Sequence, residues 1–154
     1  MTSQDRAYAV HEAGHAVVAW ALERTVVRVC IDPERSHGET VAGPKDDPPS
    51  DRDRAICLAG IVANDMLRAP GPASLGRGDR ICFFHDLTPD MSEEERNSLK
   101  RKACALARKN LSAHVGMLEA VATALEQDRM LDRAAFERIA EKYRRRTGDE
   151  GAVR

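Results

Sequence analysis

The sequence predicts a single, mainly α-helical (α+β) domain with one small β-sheet, and three observations support this class. Apolar residues recur at three- and four-residue steps over residues 4–24 and again over 92–125, as in helices that bury one face. A β-branched stretch at 25–31 predicts a strand. The chain has 154 residues, of which 42% are hydrophobic and 32% charged, enough for one core. We assign residues 1–146 to the domain and 147–154 to a flexible C-terminal tail.

The first predicted helix spans residues 4–24. Ser3 can cap its amino end, Asp5 lies in its first turn, and Gly14 is its one helix-breaking residue. Glycine inside a helix costs about 1 kcal/mol relative to alanine. Gly14 therefore indicates that another backbone or an extended substrate approaches closely, with simple helix packing as the alternative.

His11, Glu12 and His15 form an H-E-x-x-H motif within this helix. Residues four apart share one helix face, so both imidazoles can bind one ion while Glu12 lies beside the first. Zn²⁺ would take the two imidazoles, a third protein ligand and a water whose pKa falls towards about 7. A nearby carboxylate can take the proton of that water and pass it to the leaving amine. The motif predicts a zinc hydrolase site with Glu12 as general base, and two satisfied core histidines are the alternative.

The motif lies in the stretch AYAVHEAGHAVVA at residues 7–19, and a second apolar stretch, ICLAGIVANDML, occupies residues 56–67. These stretches resemble the catalytic helix, and the helix that follows it, of the peptidase domain of the FtsH-type ATP-dependent zinc metalloproteases. The resemblance covers about residues 4–140 and implies a zincin-like helical metallopeptidase domain with a small sheet after the active-site helix. Because no G-x-x-x-x-G-K-[ST] phosphate loop is present, we expect a free-standing peptidase domain without the AAA ATPase module.

The resemblance also implies a third zinc ligand. In the family this ligand is an aspartate on a helix after a loop of small residues, and Asp79, which follows ASLGRG, is the best match. The next residues, RICFFHD, depart from the alanine-rich helix of the family, so Asp79 could instead be a helix cap. Asn64 replaces an acidic residue that is common in the family. Three other residues stay open as the third ligand: Asp65, His85 and Asp86.

Two strands and a helix are predicted between the motif and Asp79. The strand at 25–31 can pair with residues 39–42. In zincins, strands after the active-site helix often present an edge to which an extended peptide can pair. The proline-rich connection 43–49 is shorter than its family counterpart, which predicts an open cleft. Ser50 then opens a helix that runs to about Arg68.

The carboxyl-terminal half is predicted to be helical scaffold or oligomer surface. Ser92 and Glu95 form a capping box, after which one apolar stripe continues towards Leu125, and Asp132 starts a last helix. Two further histidines could approach the cleft and bind an oxyanion, although exposure to solvent is the simpler interpretation of each. They are His37 and His114.

Composition limits the partners. The net charge is −1, and the short basic run at 144–146 is typical of a solvated helix end, so we expect no nucleic-acid partner. No stretch is long and apolar enough for a membrane span. The four cysteines are widely spaced and resemble neither a zinc knuckle nor a redox motif, which favours reduced thiols and a cytoplasmic location.

The leading hypothesis is a zinc metalloendopeptidase that acts on peptides or unfolded segments. His11, His15 and Asp79 would bind Zn²⁺, and Glu12 would activate water. A separate ATPase could deliver substrates. The alternative is a zinc-bound peptide-binding or regulatory module with little turnover.

Overall fold

A computed structural model describes residues 2–85 and 87–152. Within these residues, the fold comprises six α-helices and one three-stranded antiparallel sheet, which confirms the mainly α (α+β) class. The helices are α1 (Ser3–Ala21), α2 (Asp51–Met66), α3 (Arg77–His85), α4 (Glu93–Ala113), α5 (Val115–Asp128) and α6 (Arg133–Ala152). The strands are β1 (Thr25–Asp32), β2 (His37–Gly43) and β3 (Met130–Asp132). None of the described helices has the length and apolar character needed to cross a membrane.

Helix α1 is the central element of the fold. Its N-cap is Thr2 rather than the predicted Ser3, because the Thr2 hydroxyl accepts a hydrogen bond from the Asp5 amide and the Asp5 carboxylate accepts one from the Thr2 amide. This reciprocal pair requires an acidic residue three positions after the cap, which Thr2 has. Every residue from Ala7 to Ala19 is buried. The helix is therefore enclosed on all sides, rather than on the single face that the sequence predicted.

The sheet has the order β2-β1-β3, so β2 lies at one edge. A short 3₁₀ turn at Pro33–Arg35 connects β1 to β2, and the paired residues include Asp32 with His37 and Cys30 with Glu39. Strand β3 was not predicted, because three residues are too few to show an alternating pattern. The sheet packs against α1 and places β2 alongside the H-E-x-x-H motif.

Helices α1 and α2 cross at very short distance. A Cβ atom at Gly14 would lie 2.6 Å from the Ala63 Cβ and 2.8 Å from the Ala59 carbonyl oxygen. The backbone of α2 thus approaches Gly14 closely where the two helices pack, as the sequence predicted, and no substrate is needed to explain this glycine. Helix α2 begins with the predicted cap, since the Ser50 hydroxyl accepts a hydrogen bond from the Asp53 amide.

The apolar stripe of residues 92–125 belongs to two helices rather than one. Helix α4 ends at Ala113, His114 takes a non-helical conformation with φ −131° and ψ 35°, and α5 begins at Val115. The His114 ring packs edge-on against Trp20 with 5.1 Å between ring centroids, a contact between distant residues that local periodicity does not encode. Ser92 accepts a hydrogen bond from the Glu95 amide, as predicted for one half of the capping box.

The carboxyl-terminal boundary stays a prediction. Helix α6 extends to Ala152 and thus into the stretch 147–154 that was predicted as a tail, while residues 153 and 154 lie outside the described residues. The last helix was predicted to start at Asp132. Asp132 is instead the last residue of β3, and α6 begins at the next residue, Arg133.

Candidate metal centre

The structure brings together the three residues predicted as zinc ligands. His11 and His15 lie one turn apart on α1, and their Nε2 atoms are 3.2 Å from each other. Asp79, in the first turn of α3, places Oδ2 2.7 Å from the His11 Nε2 and 3.1 Å from the His15 Nε2. Both histidines are buried, and the Asp79 side chain is 28% exposed. The three donor atoms thus face one small space at the junction of α1, α2 and α3.

The outer nitrogen of each imidazole has an oxygen partner that determines the tautomer. The His11 Nδ1 lies 2.8 Å from the Asn64 Oδ1, and the His15 Nδ1 lies 2.7 Å from the Ile56 carbonyl oxygen. Asn64 is oriented by its own amide nitrogen, which donates to two carbonyl oxygens, those of Ala7 and Ala69. Since both partners are acceptors, each Nδ1 carries a hydrogen and donates it. In the neutral rings, both Nε2 lone pairs then point into the shared space.

Two imidazole nitrogens and a carboxylate oxygen that converge in a buried place need either a proton or a metal cation between them. Zn²⁺ bonds of about 2.0–2.1 Å in a tetrahedral arrangement would separate the donors by roughly 3.3–3.4 Å. The observed separations of 2.7 to 3.2 Å would have to grow by only a few tenths of an ångström. Two imidazoles, one carboxylate and one further position for water form a donor set that fits Zn²⁺.

The electrostatics of the cluster also favour a positive charge. Burial lowers the pKa of His15, but the hydrogen bond and the charge of Asp79 outweigh it and raise this pKa to about 9. Burial raises the pKa of Asp79, but its hydrogen bonds from His11 and His15 outweigh burial and hold this pKa well below its usual range. A proton on the imidazoles and a metal ion would therefore compete for the same place.

Glu12 lies beside this cluster and is held by β2. The Thr40 Oγ1 is 2.7 Å from the Glu12 Oε2 and 3.1 Å from the Glu12 carbonyl oxygen. A Cβ at Gly38 would lie 2.6 Å from the Glu12 Oε1, so only glycine leaves that oxygen its present place. The carboxylate is buried, with 5% of the residue exposed. Strand β2 thus fixes the orientation of the predicted general base.

Two glycines on other elements leave room for the imidazoles. A Cβ at Gly60, in the middle of α2, would lie 2.6 Å from the Nε2 atoms of both His11 and His15. Gly76 has φ +83°, a conformation that favours glycine, and leads the chain into α3. Gly76 belongs to the loop of small residues that was expected before Asp79, whereas sequence reasoning missed Gly60, Gly38 and Thr40. For Gly60 a signal existed, because it interrupts a predicted helix in the same way as Gly14.

The structure separates the other ligand candidates from the cluster or leaves them undescribed. Asp65 forms an ion pair with Arg108 on α4 at 2.7 Å, and its side chain is largely exposed. His85 is the last residue of α3, and its side chain is outside the described part of the chain. Asp86 lies outside the described residues altogether. Asp79 uses its carboxylate for the histidines rather than for a helix cap.

Two clefts meet at the candidate centre. The larger has a volume of about 300 Å³ and is bordered by Glu12, His15 and most of β2 together with the connection that follows it. The smaller, about 160 Å³, lies on the side of Tyr8 and His37. Three residues border both clefts, namely Glu12, Gly38 and Asp79. The clefts therefore form one groove along the edge strand. His37 reaches this groove, whereas His114 packs against Trp20.

No protein-family model matches the chain, and no curated protein matches it either.

Proposed function

We propose that this protein is a zinc-dependent metalloendopeptidase that hydrolyses peptide bonds in peptides or unfolded protein segments. The observation that carries the proposal is the convergence of the His11 Nε2, the His15 Nε2 and the Asp79 Oδ2 beside the buried carboxylate of Glu12. The resemblance of residues 7–19 to the catalytic helix of the FtsH-type family supports the same assignment. We also propose that the fold is a zincin-like metallopeptidase fold.

The site residues would divide the reaction between them. Zn²⁺ held by His11, His15 and Asp79 would lower the pKa of a bound water and polarise the substrate carbonyl. Glu12 would accept the proton of that water and deliver it to the nitrogen of the leaving amine, so that one carboxylate serves as base and then as acid. Thr40 would hold the Oε2 of Glu12 and leave Oε1 for the water.

The groove favours an extended peptide as substrate. Strand β2 is an edge strand, and it borders the larger cleft along most of its length. A peptide that adds to such an edge binds through its backbone, so side-chain selectivity is weak. Folded proteins do not offer an extended segment, which is why we propose peptides and unfolded segments as substrates. Delivery by a separate ATPase is compatible with this preference and remains an expectation.

Glu12→Gln tests the assignment. We expect the wild-type protein to cleave casein, a chelator to abolish cleavage, and Zn²⁺ to restore it. Glu12→Gln should bind Zn²⁺ with unchanged stoichiometry and lose roughly 10²- to 10⁴-fold in rate, since the amide cannot accept the proton. Glu23→Gln, which replaces a glutamate beyond the end of α1, is the matched control and should retain full activity.

Two outcomes would contradict the proposal. Equal rates for wild type and Glu12→Gln would show that any cleavage comes from a contaminant. Zinc binding by both proteins, without cleavage by either, would favour the peptide-binding or regulatory module instead.

A further inference from the structure

A second cluster of metal-binding side chains lies on the β1–β2 hairpin. Cys30 on β1 is paired with Glu39 on β2, and His37 lies two residues before Glu39. One donor atom from each of these three residues lies within 4.8 Å of the other two. Their donors are a thiol sulfur, an imidazole nitrogen and a carboxylate oxygen.

This cluster adjoins the site described above, because His37 and Glu39 border the clefts that also contain Glu12. The pleat of β2 nevertheless gives the two sites different donors. Gly38 and Thr40 face Glu12 on α1. Because successive residues of a strand point to opposite faces, His37 and Glu39 point away from Glu12. Cys30, as the partner of Glu39, shares that outer face. The hairpin therefore presents different donors on its two sides.

We propose that Cys30, His37 and Glu39 form a second metal site, for a divalent ion that accepts thiolate, such as Zn²⁺. Sulfur, nitrogen and oxygen donors in one set are typical of zinc, whereas magnesium and calcium prefer oxygen alone. The backbone ladder of the hairpin fixes the register of all three residues, so binding requires only side-chain rotation. This inference does not depend on the proposed peptidase activity.

The interactions of the metal-free cluster are compatible with binding. The Arg28 Nη2 donates to the Glu39 Oε2 at 2.8 Å, but both side chains are more than 40% exposed, and such pairs are weak. Burial and the charge of Glu39 raise the pKa of the Cys30 thiol, so the metal would displace a proton from sulfur. His37 is exposed and free to rotate towards the ion.

Titration with Co²⁺, a spectroscopic substitute for Zn²⁺, tests the proposal through a signal that requires sulfur. The cluster of His11, His15 and Asp79 contains no sulfur donor, so a thiolate-to-cobalt charge-transfer band would report the second site. We expect this band in the wild-type protein, its loss in Cys30→Ser, and more than about 10-fold weaker Co²⁺ binding in His37→Gln. If Cys30→Ser does not fold, His37→Gln still tests the site, because a substitution at the exposed His37 should not disturb folding.

Matched variants identify the sulfur. The Cys57 Sγ lies 3.2 Å from the Asp79 carbonyl oxygen, close to the first cluster, and Cys104 is half-buried on α4. Cys57→Ser and Cys104→Ser should both retain the band. Absence of the band in the wild-type protein would overturn the proposal, and so would its retention in Cys30→Ser.

Discussion

Asn64 determines which nitrogen of His11 is available to an ion. Its Oδ1 accepts from the His11 Nδ1, and its amide nitrogen donates to the carbonyl oxygens of Ala7 and Ala69. These bonds leave one orientation of the amide and one tautomer of the imidazole. A carboxylate at this position would make the imidazole more basic, whereas the neutral amide orients it without adding charge. Asn64 thus orients a predicted metal ligand, although it is not itself a ligand.

Asn64→Ala should weaken zinc binding by about 10- to 100-fold, because the His11 ring would lose the partner that fixes its tautomer and orientation. Competition with a zinc chelator of known affinity would measure the effect. Asn110→Ala is the control, since its amide bonds to the Leu106 carbonyl on α4. Zinc affinity in Asn64→Ala equal to that of the wild type would contradict the role of Asn64.

The residues of the site differ in how far the sequence predicts them. His11, Glu12 and His15 follow from a spacing of four along one helix, which is local information. Asp79 was found through the resemblance, and the structure places it at the cluster. Thr40 could not be found in this way, because its contact with Glu12 depends on how β2 packs against α1, and no local pattern encodes that packing.

At the level of elements, the site exists because only glycine and alanine lie where α2 approaches α1 most closely. Gly14 on α1 and Gly60 on α2 supply the space, and Gly60 faces the two Nε2 atoms directly. Helix caps and apolar periodicity predicted both helices, because these signals lie within each helix. The distance between the helices depends on contacts from both sides, so it could not be predicted from either one.

Gly60→Ala should reduce zinc binding while leaving all donor residues in place. Its Cβ would stand 2.6 Å from both Nε2 atoms, so the imidazoles must move apart or turn away. Metal content after dialysis would measure the loss. Gly78→Ala is the control, because a Cβ there meets nothing within 4 Å. Full zinc content in Gly60→Ala would show that the site tolerates a wider crossing than we infer.

Considered as a whole, the molecule encloses α1 with the sheet, α2, α4 and α5, and ties its first turn to the far end of α5. The Arg6 Nη1 donates to Glu126 at 2.8 Å, and the Arg129 Nη1 donates to Asp5 at 3.1 Å. The site therefore lies on the best-packed helix of the domain. Rigid support of this kind keeps metal donors in position, and it couples metal binding to the stability of the fold.

The free energy of unfolding of the zinc-free protein should depend on pH through His15. Its pKa is about 9 in the folded protein and close to 6.5 when unfolded. Because the folded protein holds the His15 proton more tightly than the unfolded chain does, this proton stabilises the fold, and fully so below pH 6.5. The stabilisation is lost as the pH rises through 9. Denaturant unfolding at pH 6 and pH 9.5 should therefore show a fall of the order of 3 kcal/mol, which His15→Gln should largely remove.

Excess zinc should offset most of this loss of stability at high pH, because the ion occupies the place that the proton leaves. At a free concentration of 100 times the Kd at pH 9, zinc adds about 2.7 kcal/mol to the free energy of unfolding at that pH. The added stability should be larger at pH 9 than at pH 6, since protons compete less. Equal stabilisation at both values would indicate that zinc binds elsewhere.

The connection from β2 to α2 has a consequence for the durability of a peptidase. It borders the larger cleft through Pro44 and Lys45, and an ion pair of 2.7 Å between Arg24 and Asp46 restrains it. Proline has no N–H to donate, so it interrupts pairing with a strand edge. For the peptidase that we propose, this connection would thus be a poor substrate, and we expect the protein to resist autolysis during prolonged incubation at high concentration.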